Sequence, residues 1–302
     1  MKTKRIPALL LAAVMALGLL AGCGQSTAGG SQPSEKPSTG EKQKVTIGYV
    51  NWAEGIAMTN LVQAILEDKL NCDVETTMTD VAPLFASMAN GGTDFFLDCW
   101  LPVTHKSYLD KYGDQLEDLG ITYENAKIGL VVPSYVDISS IEDLNSVKAD
   151  FDGTIVGIDA GAGIMSTTDT AIQEYGLDYE LMPGSGPTMT AALKKAIDAE
   201  TPIVVTGWTP HWMFARWDLK FLDDPKGVYG DAEAIHKMAR KGFSTDMPEV
   251  AAFLKKFALT DNQLGDLMGA ISDSDDKEPL EVARDWMNSH EDLVNSWLPA
   301  QS

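Results

Sequence analysis

Short apolar runs and helix-like spacings alternate along residues 44–100. Strand patterns lie at 44–50, 74–78 and 94–100, and helical patterns lie between them at 56–70 and 82–88. This order, βαβαβ, is the half-unit of a doubly wound parallel sheet, in which ligands bind at the carboxyl ends of the strands. The pattern therefore predicts an α/β fold with a ligand cleft at those ends.

The same order of elements returns in the second part of the chain. It comprises strand patterns at 154–158, 179–182 and 203–208 and helical patterns at 166–175 and 188–200. A strand pattern at 127–133 leads into this part through a capped helix start at 139–144, and the segment 234–241 is predicted to cross back. Helical patterns at 248–257, 261–270 and 279–298 complete the chain.

Two α/β units with more than one crossing between them predict a hinged, two-lobed binding protein. We place lobe I at residues 45–133 plus 234–300 and lobe II at residues 134–233. Each lobe has an ordinary domain size. A ligand held in a cleft between the lobes can bridge both and favour their closure.

The first residues of the chain have the pattern of an export signal. Basic residues at positions 2, 4 and 5 precede an apolar run at 6–20 and the sequence Leu20-Ala21-Gly22-Cys23. The run is shorter than the roughly 20 residues that span a bilayer, and small residues before a cysteine are typical of bacterial lipoproteins. We predict a signal peptide at 1–22 and a diacylglyceryl thioether on Cys23, with a plain secretory signal as the alternative.

Residues 23–44 are rich in small and polar residues and have no apolar periodicity. Such a segment buries too little surface to offset the entropy of ordering, so we predict a flexible tether. The residues that follow contain no further apolar stretch of membrane length. The expected protein is a soluble, monomeric body on the extracytoplasmic face of the cell membrane, held there by its lipid anchor.

The charge of the chain limits its partners. The formal net charge is −21, and loss of the three basic residues of the signal leaves −24. A chain this acidic, without a basic patch, is not expected to bind nucleic acid.

Besides Cys23 there are Cys72 and Cys99. We predict two buried free thiols, because one opens a strand and the other ends a strand near the opposite edge of the sheet.

Three tryptophans, Trp52, Trp100 and Trp208, each follow a short apolar run and precede a predicted loop. They are therefore expected at strand ends that face the ligand cleft. A methylated ammonium has no hydrogen to donate, but it is attracted to the face of an aromatic ring by about 0.5–2 kcal/mol per ring. The three rings predict a receptor for such a cation.

An anion site is predicted beside these rings. Gly161 and Gly163 lie between a strand and a helix, where free backbone amides and the positive end of the helix dipole bind anions. A carboxylate would accept hydrogen bonds from the amides of Gly163 and Ile164 and from the side chain of His105. An ordinary strand-to-helix turn and a structural histidine are the alternatives.

Enzyme chemistry has no support in the sequence. The motifs Gly-x-Ser-x-Gly, His-Glu-x-x-His and Gly-x-x-x-x-Gly-Lys-Ser/Thr do not occur, the four histidines are scattered, and no cofactor or metal site is predicted. The remaining alternatives are a lipoprotein enzyme that acts on quaternary amines and a sensor for a membrane signalling partner.

The other tryptophans are predicted to be structural, with Trp212 and Trp217 packed beneath Trp208, and Trp286 and Trp297 on a docked helix face.

Five motifs between Val45 and Leu298 together resemble the glycine betaine-binding lipoproteins of Opu-type ABC importers. They are Tyr49-Val50-Asn51-Trp52, Trp100-Leu101-Pro102-Val103-Thr104-His105, Gly129-Leu130-Val131-Val132-Pro133-Ser134-Tyr135, Gly161-Ala162-Gly163-Ile164-Met165 and Thr206-Gly207-Trp208-Thr209-Pro210-His211-Trp212. The five motifs occur in the order of the family, so the resemblance is specific. Asp98-Cys99 departs from it, because small residues are expected before Trp100.

The resemblance implies a type II periplasmic-binding-protein fold with a hinge and an interlobe ligand cleft. It implies a prism of Trp52, Trp100 and Trp208 around a trimethylammonium group, with the carboxylate held by Gly163, Ile164 and His105. The expected function is capture of glycine betaine, or a related zwitterionic osmoprotectant, for an ABC permease and its ATPase subunit. A choline or carnitine receptor of the same transporter class is the alternative, and a closer approach of Asp98 to the cleft would favour a more cationic ligand.

Overall fold

The computed structural model describes residues 42–300 of the 302-residue chain. The predicted signal peptide at 1–22, Cys23 and the tether up to residue 41 lie outside the described residues. Among residues 42–300, no helix has both the length and the apolar character required to cross a membrane.

Within the described residues, nine strands form one sheet in the order β2-β1-β3-β9-β4-β7-β5-β6, and β8 also pairs with β4. Their bounds are β1 Gln43–Tyr49, β2 Cys72–Met78, β3 Phe95–Leu101, β4 Leu116–Pro133, β5 Thr154–Val156, β6 Glu180–Met182, β7 Val205–Thr209, β8 Leu219–Phe221 and β9 Glu233–Arg240. Strands β1, β2 and β3 are parallel, as are β5, β6 and β7. Both predicted βαβαβ units are confirmed, so the carboxyl ends of each parallel set lie on one edge of the sheet.

The long strand β4 belongs to both parts of the sheet. Residues 116–126 pair with β9 on the side of β3, and residues 127–131 pair with β7. We refer to β1, β2, β3, β9 and residues 116–126 as the first half of the sheet, and to the remaining strands as the second half. Only residues 127–133 were predicted as a strand, because polar residues and Gly120 interrupt the alternation of the earlier segment. Its pairing with β9 is irregular at three places.

Eleven α-helices are present in the described part of the chain. Their bounds are α1 Ala53–Lys69, α2 Val81–Ala89, α3 Lys106–Tyr112, α4 Gly163–Tyr175, α5 Gly186–Asp198, α6 Met213–Arg216, α7 Phe243–Asp246, α8 Pro248–Lys256, α9 Asp261–Ser272, α10 Pro279–Ser289 and α11 Glu291–Trp297. The predicted capped start at 139–144 is a 3-10 helix, Ile141–Phe151, with a capping box between Ser140 and Asp143. The helix predicted at 279–298 is wrong as a single helix: the backbone leaves helical geometry at His290, whose ring stacks on Trp286.

The buried core agrees with two further predictions. Trp286 and Trp297 are buried within it, as expected for a docked helix face. Cys72 and Cys99 are buried free thiols, and β1 lies between the strands that carry them. Trp212 and Trp217 do not pack directly beneath Trp208. The ring of His211 lies between Trp208 and Trp212, at centroid distances of 4.8 Å and 5.1 Å.

Candidate functional site

All six residues predicted to hold a ligand line a single cavity. The lining consists of Trp52, Glu54, Trp100, Thr104, His105, Ile128, Ile158, Ala162, Gly163, Ile164 and Trp208. Both halves of the sheet contribute to it. The cavity has aromatic rings in its wall and the start of a helix at one side, which are the two features that the sequence predicted for a zwitterion.

The three tryptophans lie where strands end. Trp100 is the last residue but one of β3, and Trp208 holds the same position in β7. Trp52 follows β1 and immediately precedes α1. Each is at most 5% exposed, so a cation among these rings would lie in an environment from which most water is excluded, where cation–π attraction is strongest.

Each of the three indole N–H groups donates to a carboxylate, and this pattern was not predicted. The pairs are Trp52 with Asp159, Trp100 with Asp98, and Trp208 with Glu54, each at 2.8 Å. A buried indole N–H requires an acceptor, and an ionisable acceptor fixes the ring through a hydrogen bond at its edge. The faces of the rings are thereby left to form the wall of the cavity.

Two of these hydrogen bonds join the two halves of the sheet in opposite directions. Trp52, after β1, donates to Asp159, after β5, whereas Trp208 on β7 donates to Glu54 at the start of α1. Tyr108 of α3 adds a third connection through its hydroxyl, which donates to the carbonyl oxygen of Gly161 at 2.8 Å. The rings that line the cavity therefore also hold its two sides together.

The residues of the predicted anion site, Gly163 and Ile164, lie at the start of a helix beside the cavity. Helix α4 begins at Gly163, and within residues 42–300 neither amide has a hydrogen-bond acceptor. The first amides of a helix have no partner inside the helix, and they point along the positive end of its dipole. Because both residues line the cavity, a carboxylate there would accept two hydrogen bonds from the backbone.

Gly163 allows two chain segments to approach closely. A methyl group built on this residue would overlap the carbonyl oxygen and the side chain of Thr104. Thr104 is held by Glu233 of β9, which accepts hydrogen bonds from its amide and hydroxyl and from the amide of Val103. The glycine thus keeps the segment after β3, which carries His105, against the start of α4.

His105 presents one defined donor to the cavity. Its Nδ1 atom accepts the backbone N–H of Trp100 at 2.9 Å, so the ring hydrogen is on Nε2. Nε2 is buried and has no partner among the described residues. Burial lowers the pKa of His105 to about 3, so the ring is neutral near pH 7. It would donate Nε2–H to a charged carboxylate, and only the acceptor of that hydrogen bond would carry a charge.

Of the three carboxyl groups that accept the indoles, Glu54 and Asp98 are buried and Asp159 is half-buried. Strand alternation left the direction of Asp98 ambiguous, and the structure buries it in contact with the edge of Trp100 rather than in the lining. Burial raises the pKa of Asp98 to about 7. Burial, followed by repulsion from Asp98, raises the pKa of Glu54 well above its ordinary value.

Among the described residues, no group of three or more His, Cys, Asp or Glu side chains could hold a metal ion.

The sequence matches a family model over residues 43–289. Its description is "Substrate binding domain of ABC-type glycine betaine transport system". One similar protein is the "Glycine betaine/carnitine transport binding protein GbuC" of Listeria monocytogenes serotype 1/2a (strain 10403S), which is 48% identical over 147 residues. That alignment spans 48% of this chain and 48% of GbuC, so it covers about half the length of that relative.

Two solved structures are similar over most of the described residues. Lactococcal OpuAC, in its closed-liganded conformation complexed with glycine betaine, is 38% identical with a TM-score of 0.80, covering 85% of this chain and 100% of that one. The glycine/betaine/L-proline-binding protein ProX from Borrelia burgdorferi is 35% identical with a TM-score of 0.82, covering 85% and 97% of the two chains. Both have the fold of periplasmic binding proteins, so the predicted fold class is confirmed.

Proposed function

Because the chain belongs to the family of substrate-binding domains of ABC-type glycine betaine transport systems, we propose that it captures glycine betaine, or a closely related quaternary ammonium osmoprotectant, for uptake. The observation that carries this proposal is the cavity that combines three tryptophan rings with two free helix amides and the Nε2–H of His105. Aromatic faces attract the methylated cation and the three donors hold its carboxylate. The six ligand contacts are Trp52, Trp100, Trp208, His105, Gly163 and Ile164.

The proposed binding event is the closure of two lobes around the ligand. We assign residues 45–133 plus 234–300 to lobe I and residues 134–233 to lobe II. The chain leaves lobe I at the end of β4 and returns to it at the start of β9. Trp52, Trp100 and His105 then belong to lobe I, and Trp208 with the two amides belongs to lobe II. A zwitterion of this size would contact both lobes, so its binding would favour the closed arrangement.

The proposed partners are an ABC permease and its ATPase subunit, to which the loaded protein delivers its ligand without changing it. The support is that GbuC is named as a transport binding protein. Export by residues 1–22 and a lipid on Cys23 would place the protein at the extracytoplasmic face of the cell membrane, as a monomer on its tether. Mass spectrometry of the membrane fraction would detect the lipid on Cys23.

The magnitudes are compatible with a micromolar site. Three rings contribute about 0.5–2 kcal/mol each, and hydrogen bonds to a charged group contribute about 1.5–3 kcal/mol each. These terms must exceed the cost of association, roughly 4–15 kcal/mol, to give the −8 kcal/mol or so of a micromolar complex. Such a sum is reached only if the ligand is enclosed and water is excluded.

Calorimetric titration of residues 42–302 tests the proposal. Glycine betaine is expected to bind near micromolar concentration, and the variant His105→Ala is expected to lose about 1.5–3 kcal/mol of that affinity, because one donor to the carboxylate is removed. Choline has no carboxylate, so its binding should be indifferent to this change. His236→Ala, on β9 and outside the cavity lining, is the matched control.

The outcomes of this titration separate the alternatives. No heat with glycine betaine, proline betaine or carnitine would refute the proposed function. A higher affinity for choline than for glycine betaine, unchanged by His105→Ala, would favour the choline receptor instead. Formation of a product during prolonged incubation would indicate an enzyme.

A further inference from the structure

Two carboxyl groups are buried beside the tryptophan rings without a positively charged side chain. Glu54 and Asp98 are each 1% exposed, and no ion pair within residues 42–300 includes either of them. A buried carboxylate that lacks a cation is strongly disfavoured relative to its protonated form. The pair therefore lacks the partner that would make its charged form stable.

Both acids are placed behind rings that would contact a bound cation. Glu54 lines the cavity and accepts the indole N–H of Trp208, and Asp98 accepts that of Trp100. The second oxygen of Asp98, Oδ2, is buried and has no hydrogen-bond partner in the described part of the chain. It lies against the first turn of α1, since a methyl group built on Gly55 would stand 2.8 Å from it. The two acids therefore lie together at the start of α1, beside two of the rings that form the wall of the cavity.

From this arrangement we propose that Glu54 and Asp98 together form the counter-charge of the tryptophan site, and that binding of a quaternary ammonium drives one proton off the pair. The inference rests on the proposed function. It adds how the site distinguishes a ligand with a positive charge from a ligand of the same shape without that charge. In the reaction one carboxyl O–H bond breaks, the proton passes to buffer, and the carboxylate keeps the electron pair. The ligand cation then replaces the proton as the partner of the pair.

The direction of the pH dependence follows from the raised pKa values. With no cation nearby, burial raises the pKa of Asp98 to about 7 and raises that of Glu54, although both indoles oppose this. A cation among the rings favours the ionised form and lowers these pKa values. Below about pH 7 the ligand-free pair holds a proton that the complex does not hold. The affinity for the cation therefore falls as the pH falls, by up to about tenfold per pH unit.

The other titratable groups near the pair do not produce this effect. Lys237 of β9 donates to two backbone carbonyl oxygens, and Glu233 of β9 accepts from the segment after β3. Asp159, which accepts the third indole N–H, is only half-buried and so reaches water. Burial raises the pKa of the Cys99 thiol well above its ordinary value, which keeps it neutral. His105 is neutral, and a ligand carboxylate would raise its pKa, so proton exchange at this ring would be uptake rather than release.

Proton counting with two ligands of equal shape tests the inference. Calorimetric titrations in buffers of different ionisation enthalpy, from about pH 6 to about pH 8, give the number of protons exchanged on binding. Glycine betaine is compared with 3,3-dimethylbutanoate, in which carbon replaces the charged nitrogen and the carboxylate is kept. We expect glycine betaine to release up to one proton below about pH 7. The isostere should release none, and the preference for betaine over it should increase with pH.

The double variant Glu54→Gln, Asp98→Asn provides a second test of the inference, by the same titrations. Its amide oxygens still accept the indole N–H groups, but neither side chain can ionise. Proton release should disappear, and most of the preference for betaine over the isostere should be lost.

Betaine binding without proton release, or equal release with both ligands, overturns the inference and leaves the proposed function intact. Absence of betaine binding at every pH refutes the proposed function and the inference with it. The titrations of the unaltered protein decide the question even if the double variant does not fold.

Discussion

Replacement of Gly163 by alanine is expected to lower the affinity for glycine betaine by roughly a hundredfold or more. The added methyl group would overlap the backbone of Thr104, so the start of α4 and the segment after β3 must move apart. The carboxylate would then lose optimal contact with two amides and with His105 at once. Each of these hydrogen bonds to a charged group contributes about 1.5–3 kcal/mol. Calorimetry gives the affinity, and thermal unfolding shows whether the variant retains its fold.

The matched control for this variant is Gly265→Ala. Gly265 is an exposed residue of α9, and no atom lies within 4 Å of a methyl group built on it. Alanine there should stabilise the helix by about 0.5–1 kcal/mol and leave ligand affinity unchanged. If Gly163→Ala folds and binds glycine betaine as tightly as the unaltered protein, the carboxylate does not bind at the start of α4.

Replacement of Trp100 by alanine is expected to weaken binding of glycine betaine by about 1–3 kcal/mol, a factor of roughly 5 to 150. The loss has two causes. One face of the aromatic wall disappears, and Asp98 loses the indole N–H that it accepts. Trp100→Phe keeps a π face without that donor, so its affinity should be intermediate. Titration of the three proteins with glycine betaine at one pH provides the comparison.

Trp286→Phe separates local packing from ligand contact. Trp286 is buried in α10 and does not line the cavity, so this change should lower thermal stability and leave affinity unchanged. A folded Trp100→Ala protein with unaltered affinity would remove this ring from the proposed site.

Much of the site could be predicted because its chemistry is encoded locally. A tryptophan at the end of an apolar run must emerge at a strand end, as Trp100 and Trp208 do. Two glycines between a strand and a helix identify a helix start with free amides, as at Gly163. The alternating order of strands and helices likewise fixed the two parallel sets of the sheet.

Two of the three carboxylates that accept the indoles, Glu54 and Asp159, could not be predicted in this way. Glu54 and Trp208 are 154 residues apart, and Trp52 and Asp159 are 107 residues apart. Such pairs depend on how the two halves of the sheet meet, which no local pattern determines. The only signal was chemical: a buried indole N–H needs an acceptor, and acidic residues lie close in sequence to two of the tryptophans.

The missed elements have equally specific physical causes. The first part of β4 carries polar residues on a half-exposed, irregular strand, so its pattern resembles a loop. The break at His290 interrupts a segment with continuous helical spacing. The stacked His290 and Trp286 rings, at a centroid distance of 3.9 Å, accompany that break.

A crystal structure of residues 42–302 with glycine betaine tests the central claim most directly. We predict that the trimethylammonium group lies among the rings of Trp52, Trp100 and Trp208. The carboxylate should accept hydrogen bonds of about 2.7–3.2 Å from the Gly163 and Ile164 amides and from Nε2 of His105. A ligand bound outside this cavity, or one whose carboxylate points towards the tryptophan rings, would contradict the account.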